Sequence, residues 1–440
     1  MPGVVLTIGG SDSGGGAGVQ ADLKTFSVLG LHGTSALTAV TAQNTLGVQK
    51  VFGLEPEAVA AQLKSITDDF SVAYAKTGML FSAEIVIVVA EHLRDTRIPF
   101  VLDPVIEAEA GGRLLRPKAV LAVKEHLIPL ARVVTPNIFE AEALTGIPVR
   151  DTASADLAAQ KIVSLGAEAV IVKGGHLDCT DLLRQDGDVY LLRGKRMIGG
   201  NHGVGCTYSA ALTSYLAEGS PLRDAAMKAK EFAALAVAHS MTVGSGVGPV
   251  NQAAALQEEA ERFRVLCDMQ KAVELLMDEP RILDLIPEVG SNIGMAITGA
   301  VSSEDVAAVE GRLVRAGRKV HPSGCVKFGA SGHIARVILA AMSFDPRARA
   351  AMNLSLKALP ACEALGLETA QFSRHEEPSG VDTMSWGTLR ATAETGRLPD
   401  VIWDKGAPGK EAMLRLLGKS GTEVALQALR LARFLGDGKI

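Results

Sequence analysis

The sequence predicts an α/β fold: a layered α/β/α domain around a mostly parallel sheet, followed by a second, smaller α/β domain. Three observations carry this. From Val4 to about Gly175, short β-branched runs alternate with longer helical patterns, as parallel βαβ units require when both sheet faces are covered. Polar residues recur where those strands run out. A Gly-Ser-Gly-Val-Gly-Pro run at 244–249 then closes the pattern, and a charged helical segment begins near Ala253.

Taken in order, the candidate strands are Val4–Ile8, Ser35–Val40, Ala73–Thr77, Pro99–Asp103, Arg132–Thr135 and Ala169–Lys173, with helical stretches such as Glu57–Thr67 and Ala83–Leu93 between them. Asp12 follows the first strand, Asp103 ends the fourth, Asn137 follows the fifth and Lys173 ends the sixth. Ligands of open α/β sheets bind beyond the carboxyl ends of the strands, so this shared edge is the expected ligand edge. Any one of these residues alone reads as a turn former or helix cap; four on one edge favour a site. The expected boundaries are a first domain over 1–257, a linking or opening helix over 258–280 and a second domain over 281–440.

Bulk properties narrow the function. The 440 residues are 48% hydrophobic and 21% charged, which suits a folded chain with sizeable cores. A net charge of −5, 4% aromatic residues and the lack of a basic run argue against nucleic acid as partner. The apolar run Ile85–Ala90 is too short to span a bilayer, so no membrane role is expected. Cys179, Cys206, Cys267, Cys325 and Cys362 form no C-x-x-C pair, which suits a reducing, cytoplasmic setting.

Three motifs in the first domain carry chemistry. The run Gly9 to Gly18 lies between a strand and a helix that contains Asp22. It lacks the G-K-[S/T] ending of a P-loop, so it is expected to shape the pocket of an alcohol substrate, with Gly10 lining it and Asp22 as a hydrogen-bond partner. The plain alternative for Asp22 is a carboxylate on a helix surface. In Asn201-His202-Gly203-Val204-Gly205-Cys206, Gly203 and Gly205 expose backbone N–H groups at a helix start, forming an anion hole for a transferring phosphoryl group. Cys206 at that terminus is expected to have a lowered pKa and to accept the substrate hydroxyl's proton; an inert buried cysteine is the alternative. In Asn137-Ile138-Phe139-Glu140, the N-x-x-E spacing sets an amide and a carboxylate on one side of a helical turn. They could hold Mg²⁺ through water, as could Asp103, or they could be a simple cap.

Together with Ala42-Gln43-Asn44-Thr45, Lys76-Thr77-Gly78-Met79, Asp103-Pro104-Val105, Thr135-Pro136-Asn137 and Lys173-Gly174-Gly175-His176, these motifs resemble hydroxymethylpyrimidine/phosphomethylpyrimidine kinase of the ribokinase superfamily. The resemblance spans almost the whole first domain. It implies a ribokinase-like fold, ATP and Mg²⁺, and phosphorylation of hydroxymethylpyrimidine and then of its monophosphate. It further implies that Asp22, Gln43 and Met79 bind the pyrimidine, that Lys173 contacts ATP phosphate, and that Asn137 and Glu140 organise Mg²⁺. Most ribokinase relatives end the turn in Asp; this family has cysteine there, as Cys206 is. Val204 departs from the family's usual Thr, which leaves a hydroxyl contact at that position in doubt. Relatives imply a homo-oligomer.

The second domain offers no general catalytic motif. Its Gly-rich stretches beside cations suit phosphate: Gly290 to Gly294, Gly311-Arg312, Gly329 to His333 followed by Arg336, and Asp404 to Glu411. With Phe344-Asp345, Glu376-Glu377-Pro378 and Ser385-Trp386-Gly387 they resemble the archaeal-type thiamine-phosphate synthase domain. That resemblance implies condensation of hydroxymethylpyrimidine diphosphate with hydroxyethylthiazole phosphate to thiamine monophosphate, with release of pyrophosphate. Arg312 is then the expected phosphate clamp and His333 the hydrogen-bond or proton-transfer group. The competing expectations are a non-catalytic thiamine-phosphate-sensing second domain, and a pyridoxal or sugar kinase for the first.

Overall fold

The structure is a computed structural model that describes residues 3–106, 117–378 and 380–438. The chain divides into two compact units, Met1–Leu256 and Gln257–Ile440.

Nine strands build the first unit: β1 (Val4–Asp12), β2 (His32–Asn44), β3 (Gly47–Gly53), β4 (Val72–Thr77), β5 (Phe100–Leu102), β6 (Val133–Val134), β7 (Ala169–Val172), β8 (Thr180–Gln185) and β9 (Asp188–Arg193). Its helices are α1 (Gly18–Val28), α2 (Pro56–Asp69), α3 (Ala83–Thr96), α4 (Pro117–Ala122), α5 (Ile138–Thr145), α6 (Thr152–Val163), α7 (Val204–Ala217) and α8 (Leu222–Ala238). The strands order as β3-β2-β1-β4-β5-β6-β7-β8-β9. The six expected strands are all present and run parallel from β2 to β7. The antiparallel additions at the two edges, β3 and the β8–β9 hairpin, were not expected.

Both faces of this sheet are buried because alternate residues of each strand point opposite ways. Leu6, Ile8, Phe100, Leu102, Val170 and Val172 face α2 to α6, whereas Val5, Val101, Val133 and Ile171 face α1, α7 and α8. The first strand runs on to Asp12 through an irregularity in its β2 pairing at Gly9/Gly10. That extension carries the glycine-rich turn to the expected ligand edge.

The second unit comprises α9 (Ala254–Asp278), which starts just before the division, then β10 (Ile293–Ala296), β11 (Val306–Val309), β12 (Leu313–Ala316), β13 (Lys319–Pro322), β14 (Val326–Phe328), α10 (Gly332–Met342), β15 (Ala350–Ser355), α11 (Leu359–Ala364), β16 (Thr369–Gln371), α12 (Thr383–Thr395), β17 (Val401–Asp404), β18 (Met413–Gly418) and α13 (Gly421–Gly436). Seven strands order as β14-β11-β10-β15-β18-β17-β16, and only β16 and β17 pair in parallel. α9 buries Val265, Met269, Ala272, Val273 and Leu276 in a core shared with α13 and one sheet face. Ile402 and Leu417 face the other way, toward α10 and α12. Alternation therefore sets Arg415 and Asp404 on that α10 side. Among the described residues, no helix is long and apolar enough to cross a membrane.

Candidate active sites

In the first unit, α7 starts where the carboxyl ends of β1, β4, β5 and β7 converge. Gly203 has a φ of 86°, and a side chain there would collide with the Gly16 carbonyl, so only glycine lets the two turns lie against each other. Asp12 organises the opposite turn, accepting from the Gly14, Gly16 and Ala17 N–H groups at 2.8, 3.0 and 2.8 Å and facing His202 Nε2 at 3.0 Å. Gln43, whose side-chain oxygen accepts from Thr41, lies beside the same His202. Gly10 leaves the space that the Met79 thioether fills.

Two buried ion pairs flank the α7 terminus. Lys173 Nζ donates to Asp103 Oδ1 at 2.8 Å, and Asp103 Oδ2 accepts from Ser209 at 2.9 Å. A Cβ on Gly205 would sit 3.5 Å from the Lys173 ammonium, so the cation stands against the first turn of α7, where the helix dipole favours an anion. Burial opposes the charge on Lys173, but Asp103 and then Glu140 hold its pKa above the ordinary lysine value. The second pair is Lys76–Asp22. Lys76 Nζ reaches both Asp22 oxygens at 3.0 and 2.9 Å, Thr7 donates to Asp22 at 2.6 Å, and both charged side chains are 1% exposed. Asp22 is therefore no helix-surface carboxylate. Burial works against the Lys76 ammonium as well, yet Asp22, with Cys206 and Asp103, raises its pKa.

Cys206 sits between these pairs, and here the expectation of a lowered pKa is corrected. Burial pushes the thiol up to about 11; Asp22 and Asp103 add to the rise, while Lys76 and the Gly18 N–H only partly offset it. The helix terminus does not outweigh desolvation and two nearby carboxylates.

Asn137 and Glu140 form a capping box. The Asn137 side chain accepts from Glu140 N at 2.9 Å, and Glu140 Oε2 accepts from Asn137 N at 2.8 Å. The plain alternative thus holds, but it does not use up the carboxylate. Burial, opposed by Lys173 and reinforced by Asp103, raises Glu140 to about 7. Among the described residues no three His, Cys, Asp or Glu side chains are placed to ligate a metal together. The donor set fits Mg²⁺ held through water, an ion that keeps several waters and takes few protein oxygens. Lys76 is the functional candidate the motif reading passed over, since one Lys in a β-strand signals little until Asp22 is seen against it. A cleft of about 580 Å³ lined by Tyr74, Arg132 and Arg223 shares no residue with this cluster.

In the second unit, His333 opens α10 and Arg336 lies one turn on. Although His333 is exposed, desolvation of its inner side and then the Arg415, Arg336 and Arg374 cations push the imidazole down to about 4, against a smaller pull from Asp382. Arg374 Nε and Nη2 donate to Asp404 at 2.7 and 3.2 Å, and Arg415 Nη1 donates to the same carboxylate at 2.5 Å. The Arg312 guanidinium donates to the Val289 carbonyl. Arg374 and Arg415 went unnoticed in the sequence because they come from separate elements that only the β16-β17-β18 strand order brings together.

Comparison with known proteins follows the same division. The phosphomethylpyrimidine kinase family model matches residues 12–251, and that of thiamine-phosphate synthase ThiN matches residues 268–430. The bifunctional thiamine biosynthesis protein ThiDN of Methanocaldococcus jannaschii is 32% identical over 435 residues, covering 96% of each chain. A hydroxymethylpyrimidine/phosphomethylpyrimidine kinase of Haemophilus influenzae is 50% identical over 258 residues, 56% of this chain and 95% of that one. Among solved structures, the ADP complex of Bacillus subtilis pyridoxal kinase is 36% identical with a TM-score of 0.55, over 58% of this chain and 100% of that one.

Proposed function

The chain belongs to the phosphomethylpyrimidine kinase family and carries a thiamine-phosphate synthase domain behind it, and on that premise we propose how its two units act. The first phosphorylates hydroxymethylpyrimidine and then its monophosphate from ATP. The second condenses the resulting diphosphate with hydroxyethylthiazole phosphate, giving thiamine monophosphate and pyrophosphate. The placement of Lys173 and Asp103 at the N-terminus of α7, beside Cys206, is the observation that carries the kinase reading.

Phosphoryl transfer asks the protein for positioning and charge stabilisation more than for covalent chemistry. Lys173 and the N–H groups after Gly203 bind the transferring phosphoryl group, with Asp103 and Ser209 holding the ammonium in place. Asp103, Asn137 and Glu140 would hold Mg²⁺ through water, and it would supply further positive charge to the phosphates. Gly10, Gln43 and Met79 shape the pyrimidine pocket, and Asp22, fixed by Lys76 and Thr7, faces its polar edge. Cys206 stands at the reacting hydroxyl. Its thiol is protonated at neutral pH and cannot take up a further proton, so it shapes the anion hole, and the hydroxyl proton passes to an oxygen of the transferred phosphoryl group. In the second unit, cations stabilise the departing pyrophosphate, with neutral His333 available for proton transfer. The five free cysteines suit a cytoplasmic enzyme, and we place it there as a homo-oligomer.

Pyridoxal is the rival substrate for the first unit, because pyridoxal kinase is the solved neighbour cited above. ATP consumption by the full chain, measured with hydroxymethylpyrimidine, its monophosphate, pyridoxal and ribose, decides this; a preference for either of the last two overturns the assignment. Supplying hydroxymethylpyrimidine diphosphate and thiazole phosphate tests the second unit. Binding of both without thiamine monophosphate would make it a sensor.

A further inference from the structure

Asp404 is fully subscribed. It accepts from Arg374 Nε and Nη2, from Arg415 Nη1 and from the Gly406 N–H at 2.7 Å, and it is fully buried. Two guanidiniums therefore share one carboxylate, and donors are left over. Arg415 is 1% exposed, yet its Nε and Nη2 have no hydrogen-bond partner among the described residues. A buried cationic donor without an acceptor is costly, so such groups mark a place where an acceptor belongs. Arg374, less deeply set, lies beside it with its Nη1 unused among the described residues.

The surroundings point the same way. His333 and Arg336 approach from the first turn of α10, whose N-cap residue Ser331 contributes no side-chain cap to the N–H groups of that turn. Gly332 leaves room for the Arg336 guanidinium, which lies 3.4 Å from where a Cβ would be. Asp382 occupies Arg336 Nε at 2.7 Å and also caps α12 by accepting from Ser385 N. With both carboxylates engaged, the three guanidiniums still leave one net positive charge around a neutral imidazole.

Building on the synthase reading above, we propose that Arg374, set by Asp404 against buried Arg415, is a phosphate clamp of the second unit. Its ligand class is a phosphate or diphosphate oxyanion, whose tetrahedral oxygens accept from the Arg374 fork, from the spare Arg415 donors and from the α10 terminus. Arg415 and Asp404 are positioning residues that hold the Arg374 plane.

The test is calorimetric titration of the full chain, its kinase site saturated with ADP and Mg²⁺, with inorganic pyrophosphate in one arm and inorganic phosphate in the other. Arg374→Gln is expected to weaken binding about 10–100-fold, the loss typical of a charged hydrogen-bond pair. Tighter binding of pyrophosphate than of phosphate identifies the leaving group as the ligand; the reverse order identifies a monoester. Unchanged binding in Arg374→Gln overturns the clamp. Should that variant fail to fold, mass-mapped phenylglyoxal modification of the wild-type chain serves instead: pyrophosphate must slow modification of Arg374, and an unchanged rate overturns the proposal. If pyrophosphate binds through Arg374 but the two precursors yield no thiamine monophosphate, the synthase reading falls and the clamp stands.

Discussion

The two units handle buried charge in opposite ways. In the first, Lys76 meets Asp22 and Lys173 meets Asp103, each pair completed by a hydroxyl from Thr7 or Ser209. In the second, Arg374 and Arg415 divide a single Asp404, and Arg415 keeps two unpaired donors. A balanced network is rigid before any ligand arrives, which suits a site that must hold a small alcohol in line for transfer. An unbalanced one is completed by its ligand, which suits a site that must receive an anion. One sheet is mostly parallel and the other mostly antiparallel, and within those two layered units the contrast is carried by how the charged residues pair.

The sharpest way to break this contrast is to remove the shared carboxylate. Asp404→Asn leaves two guanidiniums, one of them 1% exposed, with no counter-charge, and should destabilise the second unit by about 3–5 kcal/mol, the usual cost of stranding a buried charge. Asp22→Asn should cost the first unit less, because it strands one buried cation where Asp404→Asn strands two guanidiniums. Denaturant titration with proteolytic mapping of each unit measures both losses. If Asp22→Asn proves the costlier, the second site is not the more strained of the two.

Next in size is the division of labour at the α7 terminus. Lys173→Ala removes the cation that faces the transferring phosphoryl group and should lower kcat by about 10²–10³-fold, as loss of a preorganised electrostatic donor does. Cys206→Ala should cost less, roughly 10–100-fold, at or below the low end of general-base effects, because its thiol is raised to about 11 and stays protonated through neutral pH. Synthase turnover should be untouched in both variants. A pH–rate profile whose rising limb between about pH 6 and 9 disappears in Cys206→Ala would make the thiolate the working base and reverse the ranking.

Much of the first site was legible because parallel βαβ topology delivers every strand's carboxyl end to one edge: Asp12, Asp103, Asn137 and Lys173 could be grouped from strand periodicity alone. What could not be read was pairing across the sheet. Lys76 looks like an isolated cation within a strand until β4 is placed beside β1 and Asp22 is folded down from α1. The direction of the Cys206 shift was missed for a related reason, since sequence shows the helix start but not the depth of burial or the carboxylates behind it. The second unit was harder still. Its sheet is antiparallel apart from β16 and β17, so ligand residues are not marshalled at one set of strand ends, and Arg374, Asp404 and Arg415 meet only through the β16-β17-β18 order.

The smallest expected effect is also the most selective for the charge imbalance. The folded-state pKa of His333 lies near 4, below the ordinary 6.5, so between those values the unfolded chain binds a proton that the folded one does not. Stability of the second unit should therefore fall as pH drops through that window, and His333→Asn should flatten part of the fall while changing little at higher pH. Calorimetric midpoints across the window read this directly. Pyrophosphate sharpens it: an anion seated among Arg374, Arg415 and Arg336 cancels the cationic repulsion, the smaller cause of the shift after desolvation, so the difference in acid slope between wild type and variant should narrow. If the difference does not narrow with the anion bound, the three guanidiniums add little to desolvation at His333, and the charge imbalance has less influence on that residue than its neighbours suggest.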